Sequence, residues 1–111
     1  MVIKIRKAGA ATILDLNGAL MVGESEGKFR QQVKELLADG ERQIAINLAG
    51  LTDMDSWGLG SLVRHCAEVR RNGGRCVFFA PTPRVLQLIK IANLDSVLDI
   101  AADEAAALSH V

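Results

Sequence analysis

Ser56 is the residue best placed to carry chemistry, in the run Asn47-Leu48-Ala49-Gly50-Leu51-Thr52-Asp53-Met54-Asp55-Ser56-Trp57-Gly58-Leu59-Gly60. A helical pattern follows it, so the serine stands where a loop turns into an amphipathic helix. A residue there is at least partly exposed, beside backbone N–H groups that have no acceptor within the helix. The helix dipole favours negative charge at the same end. A phosphate on Ser56 would add about 1.5 to 2 negative charges and accept from those N–H groups. The domain would hold it without unfolding, and the effect would fall on whatever docks there. Gly58 and Gly60 leave the helix start uncluttered and let another backbone come close. The simpler account is that Asp55 or Ser56 caps the helix and the glycines are turn chemistry. On residue types alone, caps are commoner than switches.

Other candidates are weaker. Asp53 and Asp55 form a D-x-D, but no further carboxylates converge on it in sequence, which suits a cap-and-loop role. His65 reads as lying on the charged side of its helix and His110 as part of the tail. Neither has a partner at ligand spacing, so no metal site is expected. Ser56 lacks a Gly-x-Ser-x-Gly elbow, and no plausible Asp and His pair follows it in hydrolase order. Gly58-Leu59-Gly60 lacks the spacing of a phosphate-cradling or dinucleotide loop. The expectation is a protein with no catalytic residue and no cofactor, not an enzyme.

Composition narrows the partners. Lys plus Arg and Asp plus Glu balance at 13 each, which argues against a nucleic-acid binder. Three Phe, one Trp and no Tyr make a poor stacking platform for bases. The chain of 111 residues, 50% apolar and 23% charged, reads as one globular domain over 1–111. Cys66 and Cys76 form no C-x-x-C pair and read as two reduced, mostly buried thiols. Lys4, Arg6 and Lys7 interrupt any apolar leader, and no run approaches a membrane span. The expected location is the cytoplasm, without membrane insertion.

The elements that must position Ser56 follow from periodicity. Val2–Arg6 alternates apolar with charged residues, an edge strand. After Ala8-Gly9-Ala10, Ala11–Leu16 reads as a second strand ended by Asn17-Gly18, the two forming an antiparallel hairpin. From Glu24 to Asp39, Phe29, Val33, Leu36 and Leu37 make one helical stripe, stopped by Gly40. Gln43–Leu48 reads as a central strand, Ala49–Asp55 as a loop and Trp57–Asn72 as the next helix. Its stripe is Leu59, Leu62, Val63, Cys66 and Val69. Arg75–Ala80 is a strand, and Thr82 and Pro83 suit the cap and first position of a short helix. A brief strand at Val97–Ile100 and an Ala-rich helix opened by Asp103 complete the order β-β-α-β-α-β-α-β-α. The fold class is α/β: a mixed, mostly parallel sheet of four to five strands, an antiparallel N-terminal edge strand and about four helices.

The Ile46–Gly60 run resembles the signature of STAS domains (sulfate transporter and anti-sigma-factor antagonist): an apolar strand, an Asp-Ser pair, then Gly-Leu-Gly. The similarity continues through Gly73-Gly74, Pro81-Thr82-Pro83 with Val85-Leu86-Gln87-Leu88, and Ala92-Asn93-Leu94. In the antagonist branch, the serine after the aspartate is phosphorylated by an anti-sigma factor, a serine kinase with a histidine-kinase-like ATPase fold. The resemblance implies that unphosphorylated Ser56 goes with binding that partner, that phosphorylation releases it, and that a serine phosphatase resets the switch. It also puts Asp55 in the docking site and tips the reading of Ser56 from cap to switch.

Two departures bear on the partner. Trp57 stands where the family usually has a small Ser or Thr; it reads either as an exposed anchor or as a ring folded back on the helix start. In the loop expected at Asn17–Gly23, where many antagonists are acidic, stand Ala19, Met21 and Val22. They form an apolar tip that is either a contact surface or a cover for the core. The expected partner-binding set is therefore Asp55, Ser56, Trp57, Gly58 and Met21. The alternative role is a constitutive STAS scaffold, a subunit of a stress-sensing complex or of a lipid-transport ATPase. Either role tolerates a monomer or a weak homodimer.

Overall fold

Alternating side chains and a tight turn at Gly9 start the molecule as a hairpin. In the computed structural model, which describes residues 1–111, β1 (Val2–Ala8) runs antiparallel to β2 (Ala11–Leu20). There follow α1 (Glu24–Ala38), β3 (Gln43–Met54), α2 (Ser56–Arg71), β4 (Arg75–Phe79), α3 (Pro83–Ile91), β5 (Ile100–Ala101) and α4 (Glu104–Leu108). The sheet order is β1-β2-β3-β4-β5, and every pair after the first is parallel. The mixed α/β architecture expected from the sequence is the one observed.

That order decides where the core sits. Each crossover steps one strand further in the same direction, and crossovers of one hand then lay their helices on one face. Accordingly Phe29 and Val33 of α1, Leu62, Cys66 and Val69 of α2, and Val85 and Ile89 of α3 share one core with Leu14, Leu16, Ile44, Ile46 and Phe78. The opposite face carries a smaller cluster in which Ala107 of α4 covers Ile13, Ala45, Val77 and Phe79. Arg6 ties α4 to the sheet by reaching both Asp15 and Glu104. The thiols of Cys66 and Cys76 are buried and form no disulfide. No helix is long and apolar enough to cross a membrane.

Three boundaries differ from the sequence reading. β2 does not end at Asn17-Gly18 but continues to Leu20, and β3 runs on through the expected loop to Met54. The two extensions pair with each other: Asn17 with Gly50, Gly18 with Leu51, Ala19 with Asp53 and Leu20 with Met54. Register shifts between Asp15 and Asn17 and between Gly18 and Ala19 absorb the irregular residues as bulges. Gly18 takes φ 115° there, a conformation open to glycine. Buried Leu20, Leu51 and Met54 hold the extension down. At the other edge β5 is shorter and later than Val97–Ile100. Val97 and Leu98 donate instead to the Leu94 carbonyl in a turn. The caps stand where expected, with Thr82 Oγ1 accepting from Val85 N and Asp103 Oδ1 from Ala106 N.

Candidate functional site

Because β2 and β3 are extended together, they end side by side at Leu20 and Met54. The chain leaves these ends by two turns, Met21–Gly23 into α1 and Asp55 into α2. Asp55 serves both. Its Oδ1 accepts from Gly58 N at 2.8 Å and caps α2, while its Oδ2 accepts from Val22 N at 2.9 Å. These backbone donors, Val22 first and Gly58 second, hold the Asp55 carboxyl below the usual carboxylate range. The Met21 turn is closed from the other side by Ser25, whose Oγ accepts from Met21 N and donates to Met21 O.

With the cap supplied by Asp55, Ser56 becomes the first residue of α2. It is exposed, and its hydroxyl takes no part in the cap. Trp57 is exposed and at the same time tied to the residues around it. The ring is 51% exposed, yet its Nε1–H donates to Glu26 Oε1 at 3.2 Å and the Arg64 guanidinium lies 5.2 Å from the ring centre. Met21 is half-buried and Val22, 64% exposed, is the apolar tip of the turn. A hollow of about 210 Å³ adjoins Ser56, lined by Met54, Leu59, Leu88 and Ile91 beside Asp55.

The close approach expected at Gly58 is taken by the chain itself. Gly58 is buried, and a Cβ there would run into the carbonyl of Leu20. It therefore presses α2 against the end of β2 and offers no surface to an incoming backbone. Gly60 differs, since a Cβ would meet only the Arg64 guanidinium. The two aspartates turn to different tasks: Asp53 Oδ1 accepts from Met54 N and from Arg84 Nε. No three His, Cys, Asp or Glu side chains are arranged so that they could hold a metal ion.

His65 is a correction. It is 6% exposed, turned toward α1, with its ring edge-on to Phe29 at 5.5 Å and 80°. Its Nδ1 lies 3.6 Å from Glu68 Oε1 and its Nε2 3.8 Å from Glu26 Oε2. Neither ring nitrogen nor Glu68 Oε1 has a hydrogen-bond partner. Burial holds the imidazole below its ordinary pKa, although Glu68 and Glu26 pull the other way.

Glu26 was not singled out by the sequence. It is 3% exposed on α1 and accepts from Trp57 Nε1, from Ser61 Oγ at 3.0 Å and from its own helix through Arg30 at 3.3 Å. Burial raises its carboxyl, but the bonds from Trp57 and Ser61 and the charge of Arg30 outweigh it and leave it below the ordinary value. A signal was present. Trp57, Ser61 and His65 recur at i, i+4 and i+8 on α2, and Glu26 continues the Phe29–Val33 stripe of α1 at i−3.

The family model of the STAS domain matches residues 2–107. Among solved structures, a candidate anti-sigma factor antagonist from Thermotoga maritima aligns with TM-score 0.89 at 24% identity, covering 98% of this chain and 93% of that one. An anti-sigma factor antagonist from Mycobacterium paratuberculosis aligns with TM-score 0.82 at 16% identity, covering 97% and 91%. The Bacillus cell fate determinant SpoIIAA in its phosphorylated form aligns with TM-score 0.71 at 20% identity, covering 95% and 96%. At these identities the solved structures speak for the fold.

Proposed function

Since the chain belongs to the STAS-domain family, we propose that it is a phospho-switched binding module of the anti-sigma-factor-antagonist kind, and not an enzyme. With Ser56 unmodified it captures an anti-sigma factor that is itself a serine kinase of histidine-kinase-like ATPase fold. Phosphorylation of Ser56 by that partner ends the complex, and a serine phosphatase restores it, all in the cytoplasm. The observation that carries this reading is the division of labour between Asp55 and Ser56. Asp55 supplies the cap that α2 needs, which leaves Ser56 exposed at the first helical position. An unused hydroxyl there is accessible to a kinase. The helix dipole favours the charge the phosphate adds, so the fold survives while the docking face gains negative charge and bulk. Structural relatives of this fold include one solved in phosphorylated form.

The exposed ring of Trp57 beside the acceptor favours a second reading, a constitutive scaffold in which the indole is a permanent interface anchor. The two separate on affinity for the candidate ATPase-fold partner. The switch requires Ser56→Ala to bind like wild type and Ser56→Asp to remain folded yet bind at least about tenfold more weakly, which is about 1.4 kcal/mol. Equal affinities for all three sink the switch and leave the scaffold.

A further inference from the structure

The carboxylate of Glu26 lies in a place that disfavours it. It is 3% exposed, in the seam between α1 and α2, where an apolar side chain of similar volume would pack without the desolvation a buried charge incurs. Its bonds are directional, and the two that cross the seam converge on one end of α2. Oε1 takes the indole N–H of Trp57 and a guanidinium N–H of Arg30, and Oε2 takes the hydroxyl of Ser61. Ser61 and Arg30 fix the carboxylate, and the carboxylate fixes the rotation of the indole in its plane. Arg64 then lies over the ring, 5.2 Å from its centre, within cation–π range. A ring that is 51% exposed, and therefore free to swing on its own, is held by one bond at its edge and one cation on its face.

We infer that Glu26 is a positioning residue for recognition: it pre-orients Trp57 beside Ser56, so that the partner meets a rigid aromatic anchor. The inference rests on the docking role proposed for the start of α2 and adds to it a residue from another element. Aromatic anchors bind well because little freedom is lost when they dock. Fixing one side chain beforehand is worth about two- to tenfold in affinity. The indole N–H is already engaged by Glu26, so the partner is offered the ring face and edge carbons. That selects a complementary apolar slot on the partner, not a hydrogen-bond acceptor.

Trp57 is the only tryptophan, so the intrinsic tryptophan fluorescence comes from this ring alone. In the free protein, Glu26→Leu is expected to raise acrylamide quenching of Trp57 about twofold and lower its anisotropy. Val33→Ala, a cavity elsewhere on the buried face of α1, serves as the stability control and leaves both unchanged. Quenching and anisotropy unchanged in Glu26→Leu, or changed equally by Val33→Ala, overturn the inference. The second arm measures affinity for the candidate ATPase-fold kinase in a double-mutant cycle with Trp57→Phe, which keeps a ring but has no N–H to give. Glu26→Leu is expected to weaken binding two- to tenfold beside Trp57 and to change nothing beside Phe. Equal losses in both backgrounds make Glu26 merely structural and overturn the inference. A wild-type chain that binds no such kinase overturns its docking half together with the proposed function, while the quenching arm still decides whether Glu26 holds the ring.

Discussion

Gly58→Ala and Gly60→Ala make the same chemical change two residues apart in one helix, and the structure demands opposite outcomes. Alanine is favoured over glycine in a helix interior by about 1 kcal/mol, and that gain is common to both. At Gly60 the new methyl meets only the Arg64 guanidinium at 3.0 Å, the far end of a flexible side chain that can step aside. The net expectation is a stabilisation of roughly 0.5–1 kcal/mol. At Gly58 the methyl is driven into the backbone carbonyl of Leu20. That carbonyl is fixed by the pairing of Leu20 with Met54 and also accepts from Asp55 N. No rotamer relieves the contact, so the start of α2 must move off the sheet and strain the cap at Asp55. Overpacking costs about 1–3 kcal/mol, and a methyl driven into a fixed backbone carbonyl falls at or above the upper end, so the net loss is about 2 kcal/mol or more after the helix gain. Urea unfolding followed by Trp57 fluorescence reads both changes. The two variants should move the midpoint in opposite directions, with unchanged m-values. A stability for Gly58→Ala equal to or above wild type would refute the seating of α2 against β2. A destabilised Gly60→Ala would refute the open space assigned beside it.

Stability should fall as the pH drops from 7.5 to 5.5, and His65 is the cause. Its folded pKa is depressed by burial, so below about 6.5 the unfolded chain takes up a proton that the native chain refuses. The loss grows as pH falls below about 6.5 and reaches at most about 1.4 kcal/mol by pH 5.5, and His65→Gln should flatten the slope. A wild-type stability that is level between the two pH values refutes the burial of the neutral ring. Further acid loss belongs to Asp15, Glu26, Glu41, Asp55 and Glu104, whose carboxyls are held low in the fold; their contribution is present above the ordinary carboxylate pKa and fades as pH falls below it. Cys66 and Cys76, each 2% exposed, should resist a thiol reagent in the native protein and both react in urea. Fast native labelling of either would contradict the close seating of α2 on β4.

Much of this molecule was legible locally. The helical stripes of α1 and α2, the Thr82–Pro83 start of α3 and the Asp103 cap of α4 depend on neighbours within four residues, and they stand where periodicity and capping chemistry put them. Boundaries failed where pairing was remote. Asn17-Gly18 and Ala49-Gly50 look like breakers in isolation, but each strand extension is held by the other across more than thirty residues. The candidate site divides the same way. Asp55 and Ser56 were readable because a helix start has a chemical signature. For Glu26 and His65 only the spacing gave a signal, and residue type argued against it, since a charged or polar residue on an amphipathic helix ordinarily faces water. Their burial follows from α1 meeting α2, with Trp57 and Ser61 lying 31 and 35 residues beyond Glu26. Gly58 was noticed for the right reason, room for a close backbone, but the backbone that fills the room is that of Leu20.

The central claim is that Ser56 is the modified residue of a switch. Intact mass after incubation with ATP and the candidate ATPase-fold serine kinase tests it most directly, with Ser56→Ala as the control. The account predicts one added phosphate on the wild-type chain and none on Ser56→Ala. A wild-type chain that forms a stable complex with the kinase but gains no phosphate, or a phosphate that persists in Ser56→Ala, contradicts it.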